Sequence, residues 1–336
     1  MASEKRGFVT LGMFIIDEFS FLSEDGTPTG KAPSAQIGGG GTYANVGARI
    51  WVPPSKLGMI VDRGHDFPEE IQHRLDEYGP EMWLYRDDPS RGTTRALNEY
   101  RGEVRGFKYL TPRVRLTPKD LADTPYKQPS ALHFICSPTR AAEILSEVKP
   151  VEGWSPITVY EPIPDRCVPA ELPALIEVLP SISILSPNAD EALSLLSMTG
   201  TPTVELIEQA CQRFIDLGVG PNGSGTVIIR SGHLGAYVAS RSKSGGWIPA
   251  FWGPEDADKV VDVTGAGNAF LGGLAAGLLI TNGDVFEAAL YATVSASYTI
   301  EQEGLPRLTP QPGGEEFWNE TSQYARLEKM RARLQV

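Results

Sequence analysis

DVTGAGNAFLGGLAAGLL, residues 262–279, is the stretch whose reading decides the fold. An acid and a glycine-flanked turn, Gly265-Ala266-Gly267, lead into a long run of small apolar residues. Glycine permits the tight turn, and successive backbone N–H groups of such a turn converge on an anion. The N-terminus of the helix that follows adds partial positive charge. The segment therefore reads as an anion cradle opening a helix. Gly272, Gly273, Ala275, Ala276 and Gly277 then allow that helix close neighbours. The competing reading is a plain tight turn before a core helix. At the mouth of the cradle, where an acid would do the most work, stands an amide, Asn268.

Outward from this stretch the chain alternates strand and helix. Phe8 to Ile16 predicts a first, central strand ending at Asp17. A polar-tipped excursion through EDGTPTG to Ala32–Ile37 follows, then the glycines 38–41 and a helix from Thr42 to Trp51, stopped by Pro53 and Pro54. Leu57–Val61 predicts a strand, Pro68–Tyr78 a helix, and Thr93–Leu110 a hairpin turning at Arg101-Gly102-Glu103. Strands at Leu132–Cys136, Ile157–Glu161 and Ile182–Leu185 alternate with helices at Thr139–Val148, Leu172–Leu179 and Ala189–Ser197. A helix at Val204–Leu217, strands at Val227–Arg230 and Ala236–Ser240, and helices from Gly267 and Asp284 follow. This rhythm predicts an α/β fold: a mostly parallel sheet with helices on both faces.

Composition removes whole classes. At 41% hydrophobic and 21% charged residues the 336-residue chain has ample material for a core. A formal charge of −12 argues against binding nucleic acid through phosphate neutralisation. Cys136, Cys167 and Cys211 cannot all pair internally, and His65, His73, His133 and His233 show no metal spacing. Reduced thiols and a poor leader (Asp17 soon interrupts the first apolar run) fit a cytoplasmic protein. The longest apolar run, Phe270–Ile280, falls short of the roughly 20 residues that span a bilayer.

Other motifs compete. Gly39-x-Gly41-x-x-Ala44, with Asp62 after the next strand, fits a dinucleotide fingerprint and an NAD-binding oxidoreductase. Lys31 and Pro33 weaken the strand that this fingerprint requires before it. A phosphate loop at Gly26–Lys31 is one residue short, with Ala32 in place of the hydroxyl residue. IRSGH around Ser231 lacks the first glycine of a nucleophile elbow.

Four motifs in order resemble the ribokinase-like (PfkB) carbohydrate kinase family. They are Asp17, Gly40-Gly41-Thr42-Tyr43-Ala44-Asn45, Asn188-Ala189-Asp190-Glu191, and Asp262 to Asn268, where the family pattern ends in aspartate. The asparagine form, followed by Ala-Phe-Leu-Gly-Gly, is similar to a fungal, maintenance-of-killer-like branch. The resemblance implies a three-layer α/β/α sandwich, a single domain over 1–336, and a small β lid from about 17–37 and 93–110. It implies ATP, Mg2+, a monovalent cation, a small-molecule substrate and a homodimer through the lid; charge and apolar-run length, as above, argue for no nucleic acid and no membrane partner. Asp17, Gly40, Gly41 and Asn45 would meet substrate. Asn188, Glu191, Arg230, Ser231, Gly232, Gly235 and Thr264 would line the nucleotide, Glu191 reaching metal through water. Gly265, Ala266 and Gly267 would hold the transferring phosphoryl group beside Asn268.

Each residue also has a bland reading. Asp17 could cap a turn, Asn45 satisfy loop carbonyls, Glu191 favour a helix start, and Arg230 be a solvated strand end. An amide at 268 cannot usefully accept a proton near neutral pH. Three accounts fit it: an attenuated kinase, a binding protein on a kinase scaffold, or an engineered replacement. On sequence alone, Asn268→Asp is expected to restore a base and raise transfer.

Overall fold

The computed structural model describes residues 6–334 apart from 25, 28, 30–33, 102 and 103. Among these the chain runs β1 (Phe8–Thr10), β2 (Ile15–Leu22), β3 (Ser34–Gly38), α1 (Gly40–Arg49), β4 (Leu57–Arg63), α2 (Glu69–Asp76), β5 (Trp83–Asp87), β6 (Arg95–Arg101) and β7 (Val104–Tyr109). Alternation follows: β8 (Ala131–Cys136), α3 (Pro138–Val148), β9 (Ile157–Pro162), α4 (Leu172–Val178), β10 (Ile184–Leu185), α5 (Ala189–Leu195) and α6 (Val204–Leu217). Then come β11 (Thr226–Arg230), β12 (Ala236–Ser240), β13 (Gly246–Ile248), α7 (Ala266–Ile280), α8 (Val285–Thr299), β14 (Leu308–Pro310), β15 (Glu316–Trp318) and α9 (Gln323–Leu334).

The central sheet has the order β13-β12-β11-β10-β9-β8-β1-β4-β5. It is parallel except where β12 joins β11 and β13. Strand side chains alternate between faces, and the two apolar clusters follow that alternation. Phe8, Ala131, Val159, Ile184 and Ile228 pack under α1, α7, α8 and α9. Val9, Leu132, Tyr160, Leu185 and Val227 pack under α3 to α6. The result is the three-layer α/β/α sandwich that the alternation predicts. No helix among the described residues is long and apolar enough to cross a membrane.

A second sheet, β3-β2-β6-β7, is built from the two excursions. β2 and β6 pair in parallel, aligning Asp17 with Ala96. The expected strand over 8–16 is in fact two. The chain leaves the central sheet after Thr10 and enters the small sheet at Ile15, so Asp17 lies within β2 rather than at the end of a central strand. Gly12 is the reason. Its backbone lies against α1 so closely that a Cβ there would sit 2.6 Å from Gly41 Cα. The turns expected at Glu24–Gly30 and Arg101–Glu103, and the start of the strand expected from Ala32, lie partly or wholly outside the described residues.

Four elements escape the sequence reading: β5, β14, β15 and α9. α9 docks through buried Leu327 and Met330 and through a charged residue: the Arg326 guanidinium lies 3.7 Å from the Tyr298 ring centroid and pairs with Glu301 at 2.7 Å.

α1 and α7 meet backbone to backbone. A Cβ on Gly272 would collide with the Ala44 carbonyl oxygen, and one on Gly47 with that of Ala269. No side chain of either partner yields at such a contact. Gly272→Ala is therefore expected to cost about 1–3 kcal/mol by overpacking. It should lower the urea midpoint without changing the slope, whereas Gly106→Ala, whose Cβ would meet only the Glu99 carbonyl oxygen at 3.7 Å, should leave this crossing and its cooperativity intact.

Candidate active site

Sheet register gathers one set of side chains at one end of one face. Thr10 aligns with His133, His133 with Val159, and Ile135 with Glu161. Ile184 aligns with Val159 and with Thr226. With a period of two, Thr10, His133, Glu161 and Arg230 all project to the face covered by α1, α7 and α8. Ligand sites of open parallel sheets form beyond the C-terminal strand ends, where the strand order reverses. Here it reverses at β1, which lies between β4 and β8.

Glu161 is the centre of the group and is 6% exposed. Its Oε1 accepts from Arg230 Nη2 at 2.8 Å, and its Oε2 from Asn268 Nδ2 at 2.6 Å. His133, fully buried, brings Nε2 within 3.8 Å of Oε2. Thr10 Oγ1 accepts the Gly12 N–H at 2.9 Å and lies within hydrogen-bond distance of His133 Nδ1, also at 2.9 Å. His133 Nε2 faces Glu161. Burial works against a charge on Glu161, but Arg230 and then His133 outweigh it and hold the carboxyl below its ordinary value.

A carboxylate can only accept, so Asn268 is oriented by its partner. Nδ2 turns in to Glu161, and Oδ1, with no hydrogen bond among the described residues, is the atom left to meet a ligand. Gly40 borders the amide: a Cβ there would lie 3.0 Å from Asn268 Nδ2. The same packing joins the two glycine motifs at Gly265, which takes the left-handed conformation (φ 78°) and rests on the Tyr43 ring.

Arg230 lies directly beneath the turn. A Cβ on Gly267 would collide with its Nη1. Besides Glu161 its Nη2 reaches the Ser186 carbonyl at 3.0 Å and lies 3.7 Å from Glu191 Oε2. Above this charge, the first-turn amides of Gly267 and Asn268 have no backbone acceptor within the helix. Thr264 donates its N–H back to Asp262 at 2.9 Å, which ties that acid to its own turn.

Asn188 and Glu191 form a reciprocal capping box at α5, each 2.8 Å from the other's backbone N–H. Burial pushes the Glu191 carboxyl up to about 7, with Arg230 opposing and Glu161 adding to the rise. Ser231, Gly232 and Gly235 shape the turn after β11, both glycines at positive φ. On the small-sheet side, Asp17 is 7% exposed and accepts from Asn98 Nδ2 at 3.3 Å. Gly41 presses on the Gly12 carbonyl. Asn45 is fully buried and donates to the Met82 carbonyl at 3.3 Å, its Oδ1 having no partner among the described residues.

The structure thus brings Gly40, Asn268, Gly265–Gly267, Arg230 and Glu191 together. It holds Asn45 within the core. The dinucleotide reading fails on topology: β3, before the glycines, belongs to the small sheet, and Asp62 is bound by Arg86 at 2.6 Å. Sequence reasoning missed Glu161, His133 and Asn98. Glu161 had one visible signal, an acid closing the otherwise apolar strand ITVYE.

The family model of pfkB family carbohydrate kinases matches residues 138–311, just over half of the chain. The chain is 34% identical to an uncharacterized protein of Schizosaccharomyces pombe, over 96% of this chain and 92% of the relative. It is 34% identical to protein MAK32 of Saccharomyces cerevisiae, over 90% of this chain and 86% of the relative. Its fold is similar to that of Arabidopsis thaliana ribokinase, solved with ribose and ATP. The TM-score is 0.68 at 18% identity, covering 97% of this chain and 99% of that one. The chain belongs to the pfkB family of carbohydrate kinases.

Glu191 carries a stability signature. Its folded value, about 7, lies above its unfolded value. The folded state therefore keeps a proton that the unfolded state has lost, and stability falls as pH rises from the ordinary carboxylate range towards 7. Glu191→Gln removes this loss. Thermal unfolding without ligand should show the variant gaining on the native protein between pH 5 and pH 8; a constant offset would contradict the assignment.

Proposed function

We propose that this chain transfers a phosphoryl group from ATP to a hydroxyl of a small sugar-like or nucleoside-like metabolite, at a rate reduced by Asn268. The observation that carries this reading is the glycine turn seated on the buried Arg230 guanidinium. Backbone amides and a fixed cation then face the same point, and preorganised charge of this kind does most to lower the barrier in many such reactions.

In this reading Gly265, Ala266, Gly267 and Arg230 hold the transferring group. Asn188, Glu191, Ser231, Gly232, Gly235 and Thr264 border the nucleotide. Asp17, Gly40, Gly41 and Asn98 face the acceptor, and Asn45 backs the glycines from the core. An acceptor oxygen forms the new bond to phosphorus as the bond to the bridging oxygen of ADP breaks. Asn268 Oδ1 accepts a hydrogen bond from the hydroxyl and aligns it. It does not take the proton, which passes late to the transferred phosphoryl oxygens. General-base help is worth about 10²–10⁴ in rate; the cradle's contribution remains.

Magnesium fits the residues present. Among the described residues there is no cluster of three or more metal-binding side chains, and this ion is commonly held by one or two carboxylates with phosphates and water. Glu191 Oε1 makes no hydrogen bond among the described residues and would face the ion through water. When bound, magnesium neutralises phosphate charge. The small sheet serves as a lid over the acceptor. Its exposed Phe107 and Leu110, 51% and 44% accessible, offer a surface for a second copy. A single domain, a monovalent cation and a cytoplasmic setting complete the proposal.

Calorimetry tests it. ATP with magnesium should bind, and Glu191→Gln should weaken binding about tenfold or more. Absence of binding by ATP, ADP and GTP with magnesium would contradict the proposal. Tight nucleotide binding without turnover on any hydroxylated metabolite would instead establish a binding protein on this scaffold.

A further inference from the structure

We infer that Glu161 is a positioning residue for Asn268, and that it makes the amide, not a carboxylate, the residue this site can use at position 268. The inference rests on the phosphotransfer reading.

Asn268 Nδ2 lies 2.6 Å from Glu161 Oε2. Only a donor is acceptable there while Glu161 is ionised. Glu161 is kept ionised from the other side by Arg230 at 2.8 Å. The other carboxyl near that guanidinium, on Glu191, is 3.7 Å away and is a poorer counter-ion, since burial raises its affinity for a proton. Asn268→Asp would put two carboxyl groups in hydrogen-bond contact. Two such groups do not both ionise, and one keeps a proton. Arg230 favours the charge on Glu161, so the introduced aspartate would be the protonated partner. A protonated acid is no better a base than the amide. Combining Asn268→Asp with Glu161→Gln reverses the pair: the net charge and the number of hydrogen-bonding groups stay as they are in the native protein. In the reversed pair, the carboxylate stands where the acceptor hydroxyl would meet it. The prediction from sequence alone, that Asn268→Asp restores a base, is thereby replaced: the single change is blocked and the double change is not.

The charged and titratable groups around position 268 are Glu161 on β9, His133 on β8, Arg230 at the end of β11, Glu191 on α5, Tyr43 on α1, Asp17 on β2, Asp262 in the turn before α7, and Cys167 in the loop after β9. Among the described residues only Glu161 contacts the Asn268 side chain by a hydrogen bond, so the pH response of N268D reports chiefly on that pair. An acid held protonated in the folded state loses stability as pH rises above its unfolded value.

The test uses the full chain with four changes: N268D, N268A, E161Q, and N268D with E161Q. Thermal midpoints are read from pH 5 to pH 8, and ADP release from magnesium-ATP with water as acceptor is read at saturating ATP. N268D should lose several degrees relative to the native protein as pH rises, while N268A and the double variant should run parallel to it. ADP release by N268D should stay within about threefold of native, and the double variant should exceed native by about 10²-fold or more. E161Q alone should lower the midpoint at every pH, because Arg230 is left buried without its partner. If N268D runs parallel to native and releases ADP faster, a carboxylate is tolerated beside Glu161 and the inference is overturned. The same pH slope in N268A would overturn it too, since no charge is added there. If the slopes separate as expected but neither the native nor the double variant releases ADP, the pairing stands and the phosphotransfer reading fails.

Discussion

A carboxylate buried to the extent of Glu161 is stable as an anion only if each oxygen meets a donor and a cation stands close. Glu161 has both, Arg230 on one oxygen and Asn268 on the other, with His133 behind. The rest of the site is arranged around this pairing. Arg230, drawn in by Glu161, supports the glycine turn from below and touches the flank of Glu191. Asn268, drawn in by the same carboxylate, presents its carbonyl outward. Breaking the pair by removing one partner leaves the other charge buried alone, so the three residues form a unit whose members cannot be exchanged one at a time.

Three glycine-to-backbone contacts decide whether that unit forms. The crossing of α1 over α7 needs Gly47 and Gly272, and it sets Gly40 against Asn268 and Tyr43 against Gly265. Gly12 lets the chain step from the central sheet into the small one and brings Gly41 to the same place. A site of this kind joins distant segments, residues 12, 40, 161, 230 and 268, and its precision comes from backbone packing rather than from long side chains. In the proposed reading that is the fold's contribution to function: it fixes the direction of an amide whose own chemistry is weak.

Much of this was legible in the sequence. Strand–helix alternation beyond residue 130 gives the parallel sheet because buried strands and amphipathic helices leave different periods. The cradle at Gly265–Gly267 and the capping pair Asn188/Glu191 are local, and local chemistry shows in local sequence. The split of residues 8–22 between two sheets was not legible, since the run is largely apolar and only a contact with Gly41 breaks it. α9 was missed because its buried face mixes Leu327 and Met330 with the polar Gln323 and Arg326, the latter stacked on Tyr298. Glu161 was visible as an acid at a strand end, but its partners lie 69 and 107 positions away, and no local pattern connects them.

The central claim is that Glu161 stays ionised in the folded protein and holds Asn268 by its amide. Carbon-13 NMR of the glutamate side-chain carboxyls, with Glu161 assigned by loss of its signal in Glu161→Gln, measures this directly. Between pH 5 and pH 9 the Glu161 resonance should keep the position of a carboxylate and not titrate, while that of Glu191 should move through its midpoint near 7. A Glu161 resonance that titrates within this range, or that sits at the position of a protonated acid at neutral pH, would contradict the account.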